Sequence, residues 1–125
     1  MTRLLQITLF LLAIMLVFIN VNAFKGDATF YYTGLGACGT TNKNSELVFA
    51  LPAKNFDPSP GGNPNKNKNC GRKAKVKFGS KSVIVRCVDR CAGCKPGDID
   101  LSPAAFDKLA DRKRGRILVT WEFIS

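Results

Sequence analysis

Hydrophobic and polar residues alternate most regularly between positions 73 and 88. Lysines occupy every second position from 73 to 77, and apolar residues lie between them. Gly79-Ser80 then offers a tight turn, and the stretch 82–88 returns with a high content of valine and isoleucine. Because a period of two places successive side chains on opposite faces of a strand, this pattern predicts a β-hairpin. The lysines are expected on its solvated face, with a binding surface as the alternative.

Three further stretches have the composition of strands. Residues 26–33 are rich in β-branched and aromatic side chains, and residues 46–51 form a short apolar run that stops at Pro52. The last strand is expected over residues 116–124, where apolar side chains take alternate positions and define one buried face. The members of that face are Ile117, Val119, Trp121 and Phe123.

One helix and one long loop complete the predicted elements. Ser102-Pro103 is a strong helix start, because serine caps the first turn and proline fits within it; the helix should end before Gly115. Residues 54–70 are rich in proline, glycine, asparagine and lysine, and predict a surface loop that buries little. Several strands with one short late helix predict a mainly β fold, a small closed barrel.

The first 23 residues have the layout of a secretory signal. Arg3 precedes an apolar run from Leu4 to Ile19, and residues 21–23 are small, branched or polar, as a signal peptidase requires. We expect cleavage after Ala23; an uncleaved anchor is the alternative, for which the apolar run is somewhat short. Residues 24–125 should then form one domain, since about 100 residues suffice for one hydrophobic core.

The charge of the chain is strongly positive. It contains 19 Lys+Arg, 9 Asp+Glu and no histidine, which gives a formal net charge of +10. Such a surface attracts polyanions. Export argues against nucleic acid as the partner. The chain has no phosphate-binding loop and no nucleophile-and-base motif, and no cofactor is expected.

Five cysteines lie in the exported part of the chain. Disulfides are the default interpretation in an exported domain with a modest core, and the odd count leaves one thiol over. The connectivity stays open at this point. Zinc is the alternative, because the spacing Cys91-Ala92-Gly93-Cys94 is also that of metal ligands, but export argues against it and no metal is expected. The candidates are Cys38, Cys70, Cys87, Cys91 and Cys94.

A set of short motifs resembles a known family. In chain order they are G-D-A-T-F-Y-Y at 26–32, A-C-G at 37–39, N-C-G at 69–71, V-D-R-C at 88–91 and D-I-D-L-S-P-A-A-F at 98–106. This ordered series, which covers nearly all of residues 26–125, resembles the double-psi β-barrel of expansins, barwin-like proteins and RlpA-like proteins. Small secreted fungal relatives share it, and a fungal source suits the single-domain form.

The resemblance implies a six-stranded, disulfide-stabilised double-psi β-barrel with an open groove for an extended polysaccharide. By motif match, Asp100 corresponds to the acidic residue of the D-L-S segment and Asp89 to that of the V-D segment. Thr29 corresponds to the groove threonine of the first strand. Among the aromatic residues, Tyr31, Tyr32 and Trp121 offer rings that can stack on sugars, although strand aromatics more often belong to the core.

The acidic residues fit two kinds of role. Cleavage of a glycosidic bond needs an acid of raised pKa, and a hydrolase adds a second carboxylate. Asp100 is the candidate acid, with Asp89 or Asp98 as its partner. The structural alternatives are a turn closed by Asp98 and a loop held by the carboxylate of Asp89. The chain differs from many expansins in lacking histidine and in carrying Cys91 where an aromatic is common, and we expect no second domain.

The leading hypothesis is a monomeric, secreted, cell-wall-associated protein that binds polysaccharide, including acidic polymers, and loosens it without hydrolysis. Thr29, Tyr31, Asp89 and Asp100 are the expected binding residues. Inhibition of an extracellular papain-like protease is one alternative, since some small members that resemble this chain inhibit such enzymes. The other is a glycan-cleaving enzyme of the lytic transglycosylase or endoglucanase type, with Asp100 and Asp89 as catalytic residues.

Overall fold

Six strands form the wall of the protein and two short α-helices pack outside it. The computed structural model describes residues 23–57 and 62–125, so the predicted signal peptide lies outside the described residues except for Ala23. The elements in chain order are β1 (Ala23–Phe30), β2 (Val48–Pro52), α1 (Ala53–Phe56), β3 (Lys73–Phe78), β4 (Lys81–Cys91), β5 (Ile99–Leu101), α2 (Pro103–Asp107) and β6 (Ile117–Phe123).

The strands close into a barrel in the order β1-β5-β2-β4-β3-β6. The pairs β1–β5 and β2–β4 are parallel, and the other four pairs are antiparallel. Closure leaves no edge among these six strands unpaired, so the barrel offers no open edge to another chain. The predicted mainly β, six-stranded barrel is confirmed. None of the helices within the described ranges is long and apolar enough to cross a membrane.

The hairpin and the last strand follow their sequence patterns. In the β3–β4 pair, Lys73 lies opposite Arg86 and Val76 opposite Val83, with the valines buried and the lysines outside. Along β6 the alternate side chains from Ile117 to Trp121 are buried, and the indole Nε1 of Trp121 donates a hydrogen bond to the Gly97 carbonyl oxygen at 2.9 Å. Trp121 is therefore a core residue.

The first strand is displaced from its predicted position. β1 ends at Phe30, because the Thr33 hydroxyl donates to the Asn42 carbonyl oxygen at 2.9 Å and turns the chain into a loop. Tyr32 consequently projects from that loop and is 71% exposed. The interpretation of Tyr32 as a core residue was wrong.

The predicted helix is shorter than expected. Ser102 caps α2 by accepting a hydrogen bond from the Ala105 amide, as predicted, but the α-helix ends at Asp107. The Asp111 carboxylate accepts from the Lys113 amide at 3.0 Å and starts a separate 3-10 turn. A local side-chain bond of this kind competes with continuation of the helix.

The segment predicted as a loop over residues 54–70 is more structured than expected. It contributes α1, so the described residues contain two short α-helices where one was expected, and it also contains a 3-10 turn at Pro64–Lys66. Phe56 is buried, and the side-chain amide of Asn67 donates a hydrogen bond to the Phe56 carbonyl oxygen at 2.7 Å. The expectation that this segment buries little was wrong, because Phe56 supplies an apolar anchor to the barrel.

Four of the five cysteines form two disulfides. Cys38 pairs with Cys70 and ties the β1–β2 loop to the segment before β3, whereas Cys91 pairs with Cys94 across a short turn after β4. The sulfurs of the second pair are bonded to each other, which favours the disulfide interpretation over zinc. Cys87 is the unpaired cysteine and is buried in the core.

Candidate functional site

A row of four residues from four strands crosses the side of the sheet that faces away from the core. Thr29 in β1 pairs with Asp100 in β5, Asp100 pairs with Ala50 in β2, and Ala50 pairs with Asp89 in β4. The adjacent residues of these strands, among them Ala28, Leu101, Phe49 and Cys87, belong to the core. The two carboxylate-bearing residues therefore flank a single small side chain.

A register shift in β4 completes the row. Phe49 is opposite Cys87, but the next residue, Ala50, is opposite Asp89, so Val88 is passed over. A bulge of this kind re-aims the side chains that follow it. Without the shift, Val88 and not Asp89 would be opposite Ala50.

Asp100 is held by a hydrogen bond within the row and has a raised pKa. The Thr29 hydroxyl donates a hydrogen bond to Asp100 Oδ1 at 2.9 Å, and Cys91 Sγ lies 4.0 Å from Oδ2. Burial raises the pKa of the Asp100 carboxyl, the nearby charge of Asp89 adds to the rise, and the Thr29 bond opposes it. A half-buried carboxyl of raised pKa holds its proton to a higher pH than an exposed aspartate does.

Asp89 belongs to the row and also has a structural role. Its Oδ1 accepts hydrogen bonds from the Ala37 amide and the Arg90 amide, each at 2.8 Å. The Cys38 amide also donates to the Val88 carbonyl oxygen at 3.2 Å. Asp89 therefore holds the β1–β2 loop against β4, as the structural alternative predicted.

Tyr31 stands beside both acids. Its amide donates to the Leu101 carbonyl oxygen at 2.9 Å, which extends the β1–β5 pairing by one residue. Burial raises the pKa of the Tyr31 phenol, and the charges of Asp89 and Asp100 raise it further. The half-buried phenol is thus a neutral hydrogen-bonding group between two acids, whereas Tyr32 lies outside this cluster.

An open groove of about 400 Å³ lies at the Thr29–Asp100 end of the row, and neither Ala50 nor Asp89 lines it. Thr29 and Asp100 line it, together with the Cys91–Cys94 disulfide, Lys95 and Arg116. Its polar lining and open shape suit an extended hydroxyl-rich ligand better than a small apolar one.

Asp98 also borders this groove but acts as a turn residue. Its two carboxylate oxygens accept from the amides of Asp27 and Lys95, each at 3.0 Å. With both oxygens committed to backbone amides, Asp98 closes the turn before β5. This arrangement agrees with the structural alternative.

Two features of the site were missed from the sequence. Ala50 lies between the two acids only because β2 pairs with both β4 and β5, which no local pattern reveals. Arg116 lines the groove and forms an ion pair with Asp27 at 3.0 Å across 89 positions of sequence. In the sequence, Arg116 belongs to the basic segment Arg112-Lys113-Arg114-Gly115-Arg116, which fits a solvated turn after a helix equally well.

The sequence has curated relatives of two kinds. The papain inhibitor of Streptomyces mobaraensis is 39% identical over 99 residues, which cover 75% of this chain and 67% of the inhibitor. An allergen homolog of Arthroderma benhamiae is 38% identical over 85 residues, which cover 67% of this chain and 28% of that protein. This chain therefore spans little more than a quarter of the fungal relative's length.

Solved structures share the barrel. A Streptomyces papain inhibitor superposes with a TM-score of 0.77 and 35% identity, covering 83% of this chain and 96% of that chain. An expansin of Clavibacter michiganensis gives a TM-score of 0.69 and 24% identity, covering 82% of this chain and 50% of that chain. A mutant of that expansin, at 23% identity with the same TM-score and coverage, was solved in complex with cellohexaose.

A family profile matches most of the chain. It is described as "Lytic transglycolase" and matches residues 23–121, from the first residue of β1 into β6. The match agrees with the closed six-stranded barrel and with the motifs read from the sequence. The chain belongs to the double-psi β-barrel family, whose members include the expansin-like and RlpA-like proteins.

Proposed function

We propose that this protein is exported and binds an extended cell-wall polysaccharide in its groove without cleaving it. The observation that carries the proposal is the row Thr29–Asp100–Ala50–Asp89, whose polar side chains face away from the core. Sugars are recognised through their hydroxyl groups, and the Asp100 carboxyl beside the open groove offers partners for them.

The chemistry of the row suits hydroxyl recognition. Thr29 donates to only one oxygen of Asp100, so Oδ2 keeps its capacity for a ligand hydroxyl. Tyr31 adds a neutral phenol near the same carboxyl. Ala50, which lies between the two acids, is itself buried, so the ligand is assigned to the groove side of the row, where Thr29 and Asp100 are. Together these features favour binding along the row.

The hydrogen bonds of Asp89 favour a binding function over hydrolysis. A hydrolase uses one carboxyl as an acid and a second as a base or nucleophile. Asp89 Oδ1 already accepts two amide hydrogen bonds, so this carboxylate is fixed by the loop it holds. Moving it toward a water or a sugar carbon would break those bonds. Asp100, and not Asp89, lines the groove, so we assign a single acid of the row to the ligand.

Retention on insoluble polymers tests this proposal. Cellulose, chitin, pectin and peptidoglycan are each incubated with the protein at low salt, and the bound fraction is measured. Loss of a hydrogen bond to a charged group costs about 1.5–3 kcal/mol, so Asp100→Asn should weaken binding by about tenfold or more. Asp107→Asn is the matched control, because Asp107 is exposed at the end of α2, pairs with Arg112 and does not line the groove. No retention on any polymer would end the proposal.

A second candidate function is inhibition of a papain-like protease. The similarity to papain inhibitors supports it, since the match covers three quarters of this chain. The β1–β2 loop adds a structural argument, because Leu35 is 76% exposed and pairs across the loop with Thr41. The Cys38–Cys70 disulfide fixes the same loop. An exposed apolar side chain on a constrained loop is pre-organised for insertion into a cleft.

Papain activity distinguishes the two candidates. If the loop inserts, micromolar protein inhibits papain, and Leu35→Ser raises the inhibition constant by about tenfold or more because an apolar anchor is lost. The same substitution leaves retention on polysaccharide unchanged. Full papain activity at micromolar protein would exclude the inhibitor function.

A further inference from the structure

The outer side of β1, β6, β3 and β4 forms a continuous basic surface. Across these strands Lys25 lies opposite Thr120, and Thr120 lies opposite Lys77. Two rows further along the same face, beyond Lys75, Lys73 on β3 lies opposite Arg86 on β4. We call this surface the lysine face; its members are Lys25, Lys73, Lys75, Lys77 and Arg86.

The spacing within the lysine face follows from the sheet. Residues at every second position of β3 are about 7 Å apart, so Lys73 to Lys77 span about 14 Å along the strand. Lys25 and Lys77 are separated by two strand spacings, about 10 Å across the sheet. This array is large enough to contact several successive charged units of a polymer at once.

The lysine face carries an excess of positive charge and, among the described residues, no ion pairs. None of its five members forms an ion pair with any residue in the described part of the chain, whereas Arg90, Arg112 and Arg116 pair with aspartates elsewhere on the surface. Glu122 is the acid within the face and lies opposite Lys75. Like charges packed on one face repel one another unless a partner of the opposite sign is bound.

We propose that the lysine face is a second binding surface, separate from the groove, for a carboxylate-bearing polysaccharide such as a polyuronate. Four of its five cations are lysines, whose ammonium groups act as point charges and need no bidentate geometry. The uncharged residues Thr120, Ser82 and Ile84 lie between these cations. None of the three offers an aromatic ring on which a nucleic-acid base could stack. These features favour a carboxylated glycan over single-stranded nucleic acid.

The test compares two polymers and two triple variants by binding in solution. The polymers are polygalacturonate and its methyl ester, which share a backbone and differ in charge. The face variant is Lys73→Gln with Lys75→Gln and Lys77→Gln. The control variant removes the same charge from exposed positions elsewhere, with Lys43→Gln, Lys54→Gln and Lys108→Gln. Thermal unfolding of all proteins confirms that they fold.

We expect the protein to bind polygalacturonate and to show at least tenfold weaker binding of the methyl ester. The face variant should lose at least tenfold in affinity at low salt, and the slope of log K against log salt should fall by about one per lysine removed. The control variant should lose less than threefold. Equal losses in the two variants, or equal binding of the two polymers, would overturn the proposal.

Two control measurements distinguish glycan binding from nucleic-acid binding, and the lysine face from the groove. Single-stranded DNA bound through the face as tightly as polygalacturonate would overturn the assignment to a glycan. Asp100→Asn should leave affinity for polygalacturonate within twofold, because Asp100 belongs to the groove and not to the lysine face. If the groove does not bind polysaccharide, the lysine face can still bind polygalacturonate. If the lysine face does not bind polygalacturonate, the groove can still bind polysaccharide.

Discussion

The two disulfides should differ in how much they stabilise the fold. The perturbation is removal of one bridge at a time, by Cys38→Ala with Cys70→Ala or by Cys91→Ala with Cys94→Ala. A disulfide stabilises chiefly by restricting the unfolded chain, and the effect grows with the length of the loop it closes. The two bridges close loops of very different lengths.

The expected magnitudes follow from the sequence separations. The Cys38–Cys70 bridge has a separation of 32 residues, for which the chain-entropy relation gives about 3.7 kcal/mol at 25 °C. The Cys91–Cys94 bridge has a separation of 3, which gives about 1.6 kcal/mol. The variant without the long-range bridge should therefore be about 2 kcal/mol less stable than the other. For a domain of about 100 residues this difference lowers Tm by about 10 °C.

Urea unfolding followed by tryptophan fluorescence measures the difference. Trp121 is the single tryptophan and is buried, so its emission reports loss of the core. Cys87 is retained in both variants, which leaves the core unchanged. Equal losses of stability, or a larger loss in the Cys91–Cys94 variant, would refute the argument from loop length.

Three other perturbations have defined outcomes. The pKa of the Asp100 carboxyl is raised in the folded protein, so ionisation of this group destabilises the fold and wild-type stability falls as pH rises through that pKa. In thermal unfolding, Asp100→Asn should therefore be more stable than the wild type at pH 7. The difference should disappear near pH 3, where the wild-type carboxyl is protonated in both states. Burial raises the pKa of Cys87 to about 12, so Ellman's reagent should find no thiol in the native protein at pH 8 and one after unfolding. A Cβ on Gly26 would overlap the backbone carbonyl of Gly97, so Gly26→Ala should cost about 2 kcal/mol or more by urea unfolding, whereas Gly34→Ala, with open space around it, should change little. Gly26→Ala with the stability of the wild type would contradict the packing argument. An effect of Asp100→Asn on stability that does not depend on pH would contradict the charge argument.

The sequence predicted the elements whose signals are local. The hairpin was predicted from the alternation of lysine with apolar residues, and the start of α2 from Ser102-Pro103. The end of that helix was missed, because Asp111 begins a new turn by a side-chain bond that the apolar spacing does not show. Tyr32 was misplaced for a similar reason, since the position of the strand end depends on bonds between Thr33 and the loop that follows.

The site required long-range information. Thr29, Asp89 and Asp100 were identified by family motifs, but their arrangement comes from two parallel strand pairs and one register shift. Ala50 carries no chemical signal of its own and was therefore missed. The cysteine pairing was open for the same reason, because connectivity depends on which loops the closed barrel brings together.

Binding and product formation measured in the same incubation test the central claim most directly. The protein and its Asp100→Asn variant are each incubated with an insoluble wall polysaccharide that retains the wild type, and the bound fraction, new reducing ends and anhydro-sugar ends are measured. We predict retention of the wild type, about tenfold weaker retention of the variant, and no products from either. Products that disappear in the variant, or retention that Asp100→Asn leaves unchanged, would contradict the account.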